Sequence, residues 1–122
     1  MANPFVHVEL HTGDLAKAKA FYSGLFGWDL QEMPMPGGSY TMVNVGEGTG
    51  GGMMADPEVP PHWLAYVAVD DIAAATEKAR SLGATIRQDV MEIGEYGWMS
   101  VITDPTGATF ALWKAKQAAP RA

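Results

Sequence analysis

The first predicted strand has one apolar face and one polar face. Residues 6–11 alternate in polarity, which places Val6, Val8 and Leu10 on one face and His7, Glu9 and His11 on the other. We expect the apolar face to pack against the helix that follows. A polar face on a central strand needs a reason of its own, so His7 and Glu9 are the first candidates for a functional site.

Apolar residues at helical spacing follow this strand, and the same pattern of strand and helix returns at residues 64–82. Asp14 can cap a helix whose apolar residues recur at helical spacing, and Gly27 lies just past its end. Asp71 and Gly83 hold the same places around a second helix. The chain therefore contains an internal repeat, which is the main guide to its fold.

Each helix is followed by three short β-prone segments separated by turn residues. They are residues 28–33, 40–45 and 51–54 in the first half, and 85–92, 98–103 and 109–113 in the second. The predicted fold class is α+β, with two βαβββ modules that form a curved mixed sheet around a central cavity. A ferredoxin-like βαββαβ order is the alternative, but it would leave two of the strand-like segments unused.

The length of the chain predicts one domain over residues 1–122, since domains typically hold roughly 100 to 150 residues. Module 1 covers residues 4–55 and module 2 covers residues 62–115. The proline-rich segment 56–61 is interpreted as a stiff linker. The polar, Ala-rich tail at residues 116–122 is expected to be a frayed end.

Composition argues against several classes of function. The net charge is −6, and no cluster of Lys and Arg could attract a phosphate backbone, so we expect no nucleic acid partner. No segment approaches the roughly 20 apolar residues of a membrane span, so we expect no membrane association. The sequence has no cysteine, which removes disulfides and thiolate chemistry and fits a cytoplasmic location.

Alternation also indicates which later side chains face the predicted cavity. In the third and seventh strands either face could point inward; we favour the face of Tyr40 and Met42, and the face of Trp98 and Ser100. Aromatic residues there could stack on a planar ligand or simply fill the core. The predicted ligand-binding residues are His7, Glu9, Tyr40, Met42, Tyr66, Trp98 and Ala111.

Several motifs resemble the vicinal oxygen chelate superfamily, which includes glyoxalase I, extradiol dioxygenases, and fosfomycin- and bleomycin-resistance proteins. The matching segments are residues 7–10 with Asp14, 21–28, 69–71, 82–84 and 104–108. The chain looks most like small glyoxalase-like proteins that have a Gly-rich fourth strand, here residues 50–53, and a Pro-Pro-x-Trp connector, here residues 60–63. The resemblance implies the glyoxalase/bleomycin-resistance/dioxygenase fold and a homodimer.

Metal enzymes of that superfamily bind a divalent ion at four equivalent places, on the first and last strands of each module. His7 falls on the first place, whereas the others fall on Leu64, on Ala111 and near Gly52 or Met53. Catalytic sites typically need about three protein ligands, so we expect no metal and no other cofactor. Alternate positions on a strand lie roughly 6 to 7 Å apart, so the three polar residues of the first strand are a poor substitute.

Three functions fit these observations. The first is a metal-independent small-molecule-binding protein of the glyoxalase/bleomycin-resistance type, with a neutral or cationic, partly apolar ligand. The second is a lyase- or isomerase-type enzyme that uses His7 and Glu9 for proton transfer, with or without an atypical divalent metal. The third is a ligand-free dimerisation module. His7 could also be a structural histidine satisfied by Glu9, and His11, near the end of its strand, is expected to be exposed.

Overall fold

The computed structural model describes residues 2–35 and 38–116, and its elements follow the predicted βαβββ order twice. The predicted frayed tail lies outside the described residues, apart from Lys116. The elements are β1 Phe5–Thr12, α1 Leu15–Phe26, β2 Asp29–Met35, β3 Gly38–Asn44, β4 Gly51–Ala55, β5 His62–Ala68, α2 Ile72–Ser81, β6 Thr85–Ile93, β7 Gly97–Thr103 and β8 Thr109–Ala115.

Both helices begin at the predicted aspartate caps. Asp14 Oδ1 accepts the backbone N–H of Lys17 at 3.0 Å, and Asp71 Oδ1 accepts that of Ala74 at 3.0 Å. Helix α1 ends at Gly27, whose φ of 70° is left-handed and therefore favours a residue without a Cβ. Neither helix in the described part of the chain is long and apolar enough to cross a membrane.

The chain divides into two compact units, and the boundary falls inside β5. The first unit comprises residues 5–65, with strands in the order β2-β3-β4-β1. Its β1 and β4 run parallel with Leu10 opposite Met53, while β3 runs antiparallel to both β2 and β4. Leu10, Val43 and Met53 form a buried core against which α1 packs through Leu15 and Ala18. Of the predicted apolar face of the first strand, Leu10 lies in this core, whereas Val6 is 38% exposed.

The second unit comprises residues 1–4 and 66–122, with strands in the order β5-β8-β7-β6. Strands β5 and β8 run parallel with Tyr66 opposite Ala111, and the other two pairs are antiparallel. Its core of Ile72, Ile102 and Leu112 lies between α2 and the sheet.

The predicted orientation of β7 is wrong. Trp98 packs against the core formed with α2, and the hydroxyl of Ser100 lies 2.9 Å from that of Thr76 on α2, with both residues buried. Trp98 and Ser100 therefore face the helix, and Met99 and Val101 take the opposite face. Ser100 can face the helix because Thr76 gives its hydroxyl a hydrogen-bond partner. Without that partner, a buried hydroxyl on this side would lower the stability of the fold.

Candidate functional site

Five side chains of the first unit form one continuous hydrogen-bonded series along the polar face of β1. Tyr40 Oη donates to Glu9 Oε2 at 2.5 Å, and His7 Nε2 lies 2.8 Å from the same Oη. His11 Nε2 lies 2.6 Å from Glu9 Oε1, and His11 Nδ1 lies 3.3 Å from Asp56 Oδ2. We call this series of His7, Tyr40, Glu9, His11 and Asp56 the β1 polar chain.

The donors and acceptors of the β1 polar chain fix where its protons lie. Tyr40 has a single hydroxyl hydrogen, which goes to Glu9, so its oxygen accepts a hydrogen from His7 Nε2. His11 faces a carboxyl group at each ring nitrogen, and with both carboxylates ionised the two bonds are made together only when both nitrogens carry hydrogen. His11 is therefore a cation held between two anions, with His7 at the other end of the series.

The two histidines titrate in opposite directions. Burial lowers the pKa of His7 below its ordinary value of 6.5, and the nearby charge of Glu9 only partly opposes this. The hydrogen bond to Glu9 raises the pKa of His11 above 6.5; burial opposes that rise, and Asp56 adds to it. Near neutral pH the β1 polar chain thus favours a neutral imidazole at His7 and an imidazolium at His11.

Gly52 makes room for the tyrosine of this series. An ideal Cβ built on Gly52 would lie 1.9 Å from Tyr40 Oη and 2.2 Å from its Cζ. Gly52 lies opposite Met42 where β4 pairs with β3. The ring of Tyr40, two residues before Met42, extends over the neighbouring strand and packs against the backbone of Gly52. The glycine at this position is what allows the hydroxyl to reach both His7 and Glu9.

The segment after β4 completes the other end of the site. The backbone N–H of Asp56 donates to the carbonyl oxygen of Thr12 at 2.8 Å, which holds its carboxylate beside His11. The His62 ring stacks on His11 with centroids 4.9 Å apart and planes 12° apart. His62 Nδ1 donates to the carbonyl oxygen of Pro60 at 2.8 Å. Asp56, in the segment predicted only as a linker, and His62, at the start of β5, are therefore two site residues that the sequence did not indicate.

His11 is not exposed, contrary to the prediction. Its side chain is 13% exposed, because it lies between Glu9 and Asp56 and beneath His62. Asp56 could have been identified from sequence by one signal: it directly follows the strand that pairs parallel with β1, so it lies at the same sheet edge as the end of β1.

The structure brings together three of the predicted ligand-binding residues, His7, Glu9 and Tyr40. Met42 is 39% exposed and lines a separate groove of about 240 Å³ with Asp29 and Gln31.

The other three predicted residues belong to the second unit. Tyr66 is buried, donates to the sulfur of Met99 at 3.9 Å and makes an edge contact with Trp113. Ala111 is fully buried opposite Tyr66, and Trp98 lies on the helix side as described above.

The residues present do not fit the divalent metal of the superfamily's enzymes. His7 has its Nε2 hydrogen-bonded to Tyr40, and the space beside Gly52 is filled by the Tyr40 hydroxyl. Leu64 and Ala111 carry no ligand atom in their side chains. Over residues 2–35 and 38–116, no group of three His, Asp or Glu side chains is arranged to hold an ion.

The opposed titrations predict a stability maximum near pH 6.5. The raised pKa of His11 gives stability that is full below 6.5 and is lost as pH rises through its folded value. The lowered pKa of His7 costs stability as pH falls below 6.5, because the unfolded chain then binds the proton more strongly. The free energy of unfolding, measured with urea across this range, should decrease less above pH 6.5 in His11→Gln than in the wild type. In His7→Gln it should decrease less below pH 6.5. A loss of stability above pH 6.5 that persists in His11→Gln would mean that another group causes it.

Sequence comparisons match this chain over nearly its whole length. A family model described as the Glyoxalase/Bleomycin resistance protein/Dioxygenase superfamily matches residues 5–112. A Mycobacterium bovis protein named as a glyoxylase, CFP32, is 40% identical over 117 residues, which are 90% of this chain and 45% of that protein. The anthracycline biosynthesis protein DnrV of Streptomyces peucetius is 30% identical over 124 residues, covering 87% of this chain and 45% of DnrV. The chain spans less than half the length of these two relatives.

Comparison of structures agrees with the predicted fold. A crystal structure of methylmalonyl-CoA epimerase from Mycobacterium tuberculosis matches with a TM-score of 0.68 at 18% identity, covering 93% of this chain and 88% of that one. Likeness at this identity establishes the fold alone. The predicted α+β fold with two βαβββ modules is therefore confirmed.

Proposed function

The chain belongs to the glyoxalase/bleomycin resistance protein/dioxygenase superfamily, and from this premise we propose that it binds a small molecule without the metal centre of the superfamily's enzymes. The polar face of β1 supplies the anchor for the ligand. In this proposal the neutral imidazole of His7 and the hydroxyl of Tyr40 are the groups that a ligand meets, and Glu9 holds Tyr40 in place.

The single observation that supports this proposal is the hydroxyl of Tyr40 held between His7 and Glu9 over a glycine. Glu9 is 6% exposed, and placing a carboxylate in a sheet costs stability unless hydrogen bonds compensate it. Perturbed, hydrogen-bonded titratable groups of this kind concentrate at functional sites. Near Gly52, where the superfamily's metal enzymes carry a ligand, the Tyr40 hydroxyl fills the space.

Charge indicates the class of ligand. Glu9 and Asp56 carry two negative charges against one positive charge on His11, and the whole chain carries −6. A neutral or cationic ligand with an apolar or aromatic body suits this balance better than an anion. The name of the relative DnrV adds a concrete probe, because anthracyclines combine a planar aromatic system with an amine.

We expect daunorubicin, a cationic anthracycline, to bind the protein saturably, as measured by quenching of its fluorescence. Tyr40→Phe removes one hydrogen bond and should weaken the binding by about fivefold or more. His7→Ala should weaken it further, because the ligand loses a polar anchor. Tyr96→Phe is the matched control, since Tyr96 is 47% exposed and lies outside the β1 polar chain.

The proposal fails if neither daunorubicin nor any compound of a screening set of neutral and cationic aromatics raises the melting temperature of the protein. Its metal-independent part fails separately if calorimetric titration with Zn²⁺ or Ni²⁺ shows stoichiometric binding that His7→Ala abolishes.

A proton-transferring lyase or isomerase is the second candidate, and the order of protons in the β1 polar chain favours it. His7 donates to Tyr40 and Tyr40 donates to Glu9, so a proton could pass along the series. The discriminating measurement is incorporation of deuterium from D₂O into carbon positions of a bound compound, followed by NMR. Exchange that Tyr40→Phe abolishes would favour the enzyme over the binding protein.

We further propose a cytoplasmic location, which the absence of cysteine supports.

A further inference from the structure

The segment that joins β4 to β5 is held against the end of β1 through Asp56. Residues 56–61 are called the β4–β5 segment, and all of them except Asp56 are exposed. The backbone N–H of Asp56 donates to the carbonyl oxygen of Thr12 at 2.8 Å, and its carboxylate lies beside His11. His62, which follows the segment, stacks on His11. An exposed segment buries little apolar surface, so it can open locally while the core stays folded.

The proton on His11 decides whether its ring can bind both neighbouring carboxylates. An imidazolium carries hydrogen on both nitrogens, so it donates to Glu9 Oε1 at 2.6 Å and to Asp56 Oδ2 at 3.3 Å. A neutral imidazole carries one hydrogen and one lone pair. It can donate to one carboxylate only, and its lone pair then faces the oxygen of the other. Loss of the proton at His11 therefore breaks one of the two bonds.

Burial decides which of the two bonds remains. The side chain of Glu9 is 8% exposed, so water cannot readily replace His11 as its partner there. The side chain of Asp56 is 28% exposed, and its bond to His11 is the longer of the two. A neutral His11 should therefore keep its hydrogen on Nε2 and stay with Glu9, while the carboxylate of Asp56 turns to water.

The groups that face the His11 ring come from three places in the first unit. Glu9 lies on β1 itself, Asp56 follows β4, and His62 begins β5. The hydrogen bond to Glu9 is the largest cause of the raised pKa of His11; burial opposes the rise, and Asp56 adds to it. The imidazolium therefore persists above pH 6.5 and is lost as the pH rises through the folded value.

We infer that His11 is a pH-operated latch: it holds the β4–β5 segment against β1 while it carries a proton, and it releases the segment when the proton is lost. The release begins at Asp56 and leaves the bonds of Glu9 to Tyr40 and His11 in place. The candidate site then opens to solvent at its Asp56 end. The latch involves no ligand, so its test is independent of the proposed function.

Hydrogen exchange of the Asp56 backbone N–H, followed by NMR from about pH 6 to about pH 9, tests the latch in the unmodified protein. Each rate is compared with that of an unfolded chain at the same pH, which gives a protection factor. The protection factor of Asp56 should fall by about tenfold or more, because release of the segment exposes this N–H. The Val8 N–H, bonded to the carbonyl oxygen of Gly50 at 3.2 Å, is the internal control and should change by less than about twofold.

Asp56→Asn should remove the pH dependence. The side-chain amide can accept from an imidazolium or donate to the lone pair of a neutral ring, so the segment stays held across the range. His11→Gln should remove it too, because the introduced amide does not titrate. Glu58→Gln is the matched control: Glu58 is an exposed acid of the same segment, so this variant should behave like the wild type.

A wild-type protection factor at Asp56 that stays constant over this range overturns the inference. A parallel fall at Val8 overturns it as well, since the chain would then be losing more than one segment. These two outcomes need no substitution, so the test stands even where circular dichroism shows that a variant does not fold. A pH dependence that persists in a folded Asp56→Asn variant assigns the opening to another pair of groups and also overturns the latch.

Discussion

Gly52→Ala is expected to lower the free energy of unfolding by about 3 kcal/mol, which is a large effect for one methyl group. The added Cβ would lie 1.9 Å from Tyr40 Oη and 2.4 Å from its Cε2, so the ring must move. Moving it breaks the hydrogen bonds of Tyr40 to Glu9 and His7, and bonds to a charged group contribute about 1.5 to 3 kcal/mol. The measurement is urea unfolding monitored by circular dichroism.

Gly24→Ala is the control for this prediction. Gly24 lies inside α1, and a Cβ built there meets no atom within 4 Å. The same substitution should therefore raise the free energy of unfolding by about 0.5 to 1 kcal/mol, because glycine is a poor helix former. A second control removes the ring: in a Tyr40→Ala background, Gly52→Ala should cost little. An equal cost of Gly52→Ala in both backgrounds would show that Tyr40 is not the cause.

Local patterns of the sequence predict the elements of this fold well. The caps at Asp14 and Asp71 and the apolar face ending at Leu10 are local features, because each depends on residues within a few positions. The repeat then constrains the order of the elements. After each helix, the strand limits differ from the predictions by at most two residues, as at β2 Asp29–Met35 against the predicted 28–33.

The errors arise where the partner of a side chain is distant in sequence. Ser100 faces α2 because Thr76 offers it a hydroxyl, and no local pattern reveals that pair. His11 is buried because Asp56 and His62 reach it from the segment after β4. Polarity predicts whether a strand position tolerates water, but it does not reveal which residue elsewhere in the chain can satisfy a buried polar group.

The candidate site depends on one glycine as much as on its polar residues. The polar face of β1 identifies His7 and Glu9 from sequence, and Tyr40 follows from the alternation of β3. Only the structure shows that Gly52 lets Tyr40 bridge the two. The β1 polar chain is then a set of mutually dependent groups, since each side chain of His7, Tyr40, Glu9 and His11 is a partner of the next.

Glu9→Ala is expected to lower the free energy of unfolding by about 3 kcal/mol, because Glu9 is the centre of this series. The side chain of Glu9 is 8% exposed, and its carboxylate accepts hydrogens from both Tyr40 and His11. Removing one partner of a buried ion pair typically costs about 3 to 5 kcal/mol. We expect the low end, since His11 keeps Asp56 as a partner and can release its proton. Glu77→Ala on α2 is the control, because that side chain is 67% exposed and should change little.

Glu9→Gln separates the charge of Glu9 from its shape. The amide can still accept from Tyr40 and donate to a neutral His11, so this variant should lose only about 1 kcal/mol. The pKa of His11, followed by NMR titration, should fall in this variant, because the hydrogen bond to the Glu9 carboxylate is the largest cause of its rise. A small effect of Glu9→Ala, equal to that of Glu77→Ala, would contradict a central role for Glu9. An unchanged titration of His11 in Glu9→Gln would mean that Asp56 alone holds the imidazolium.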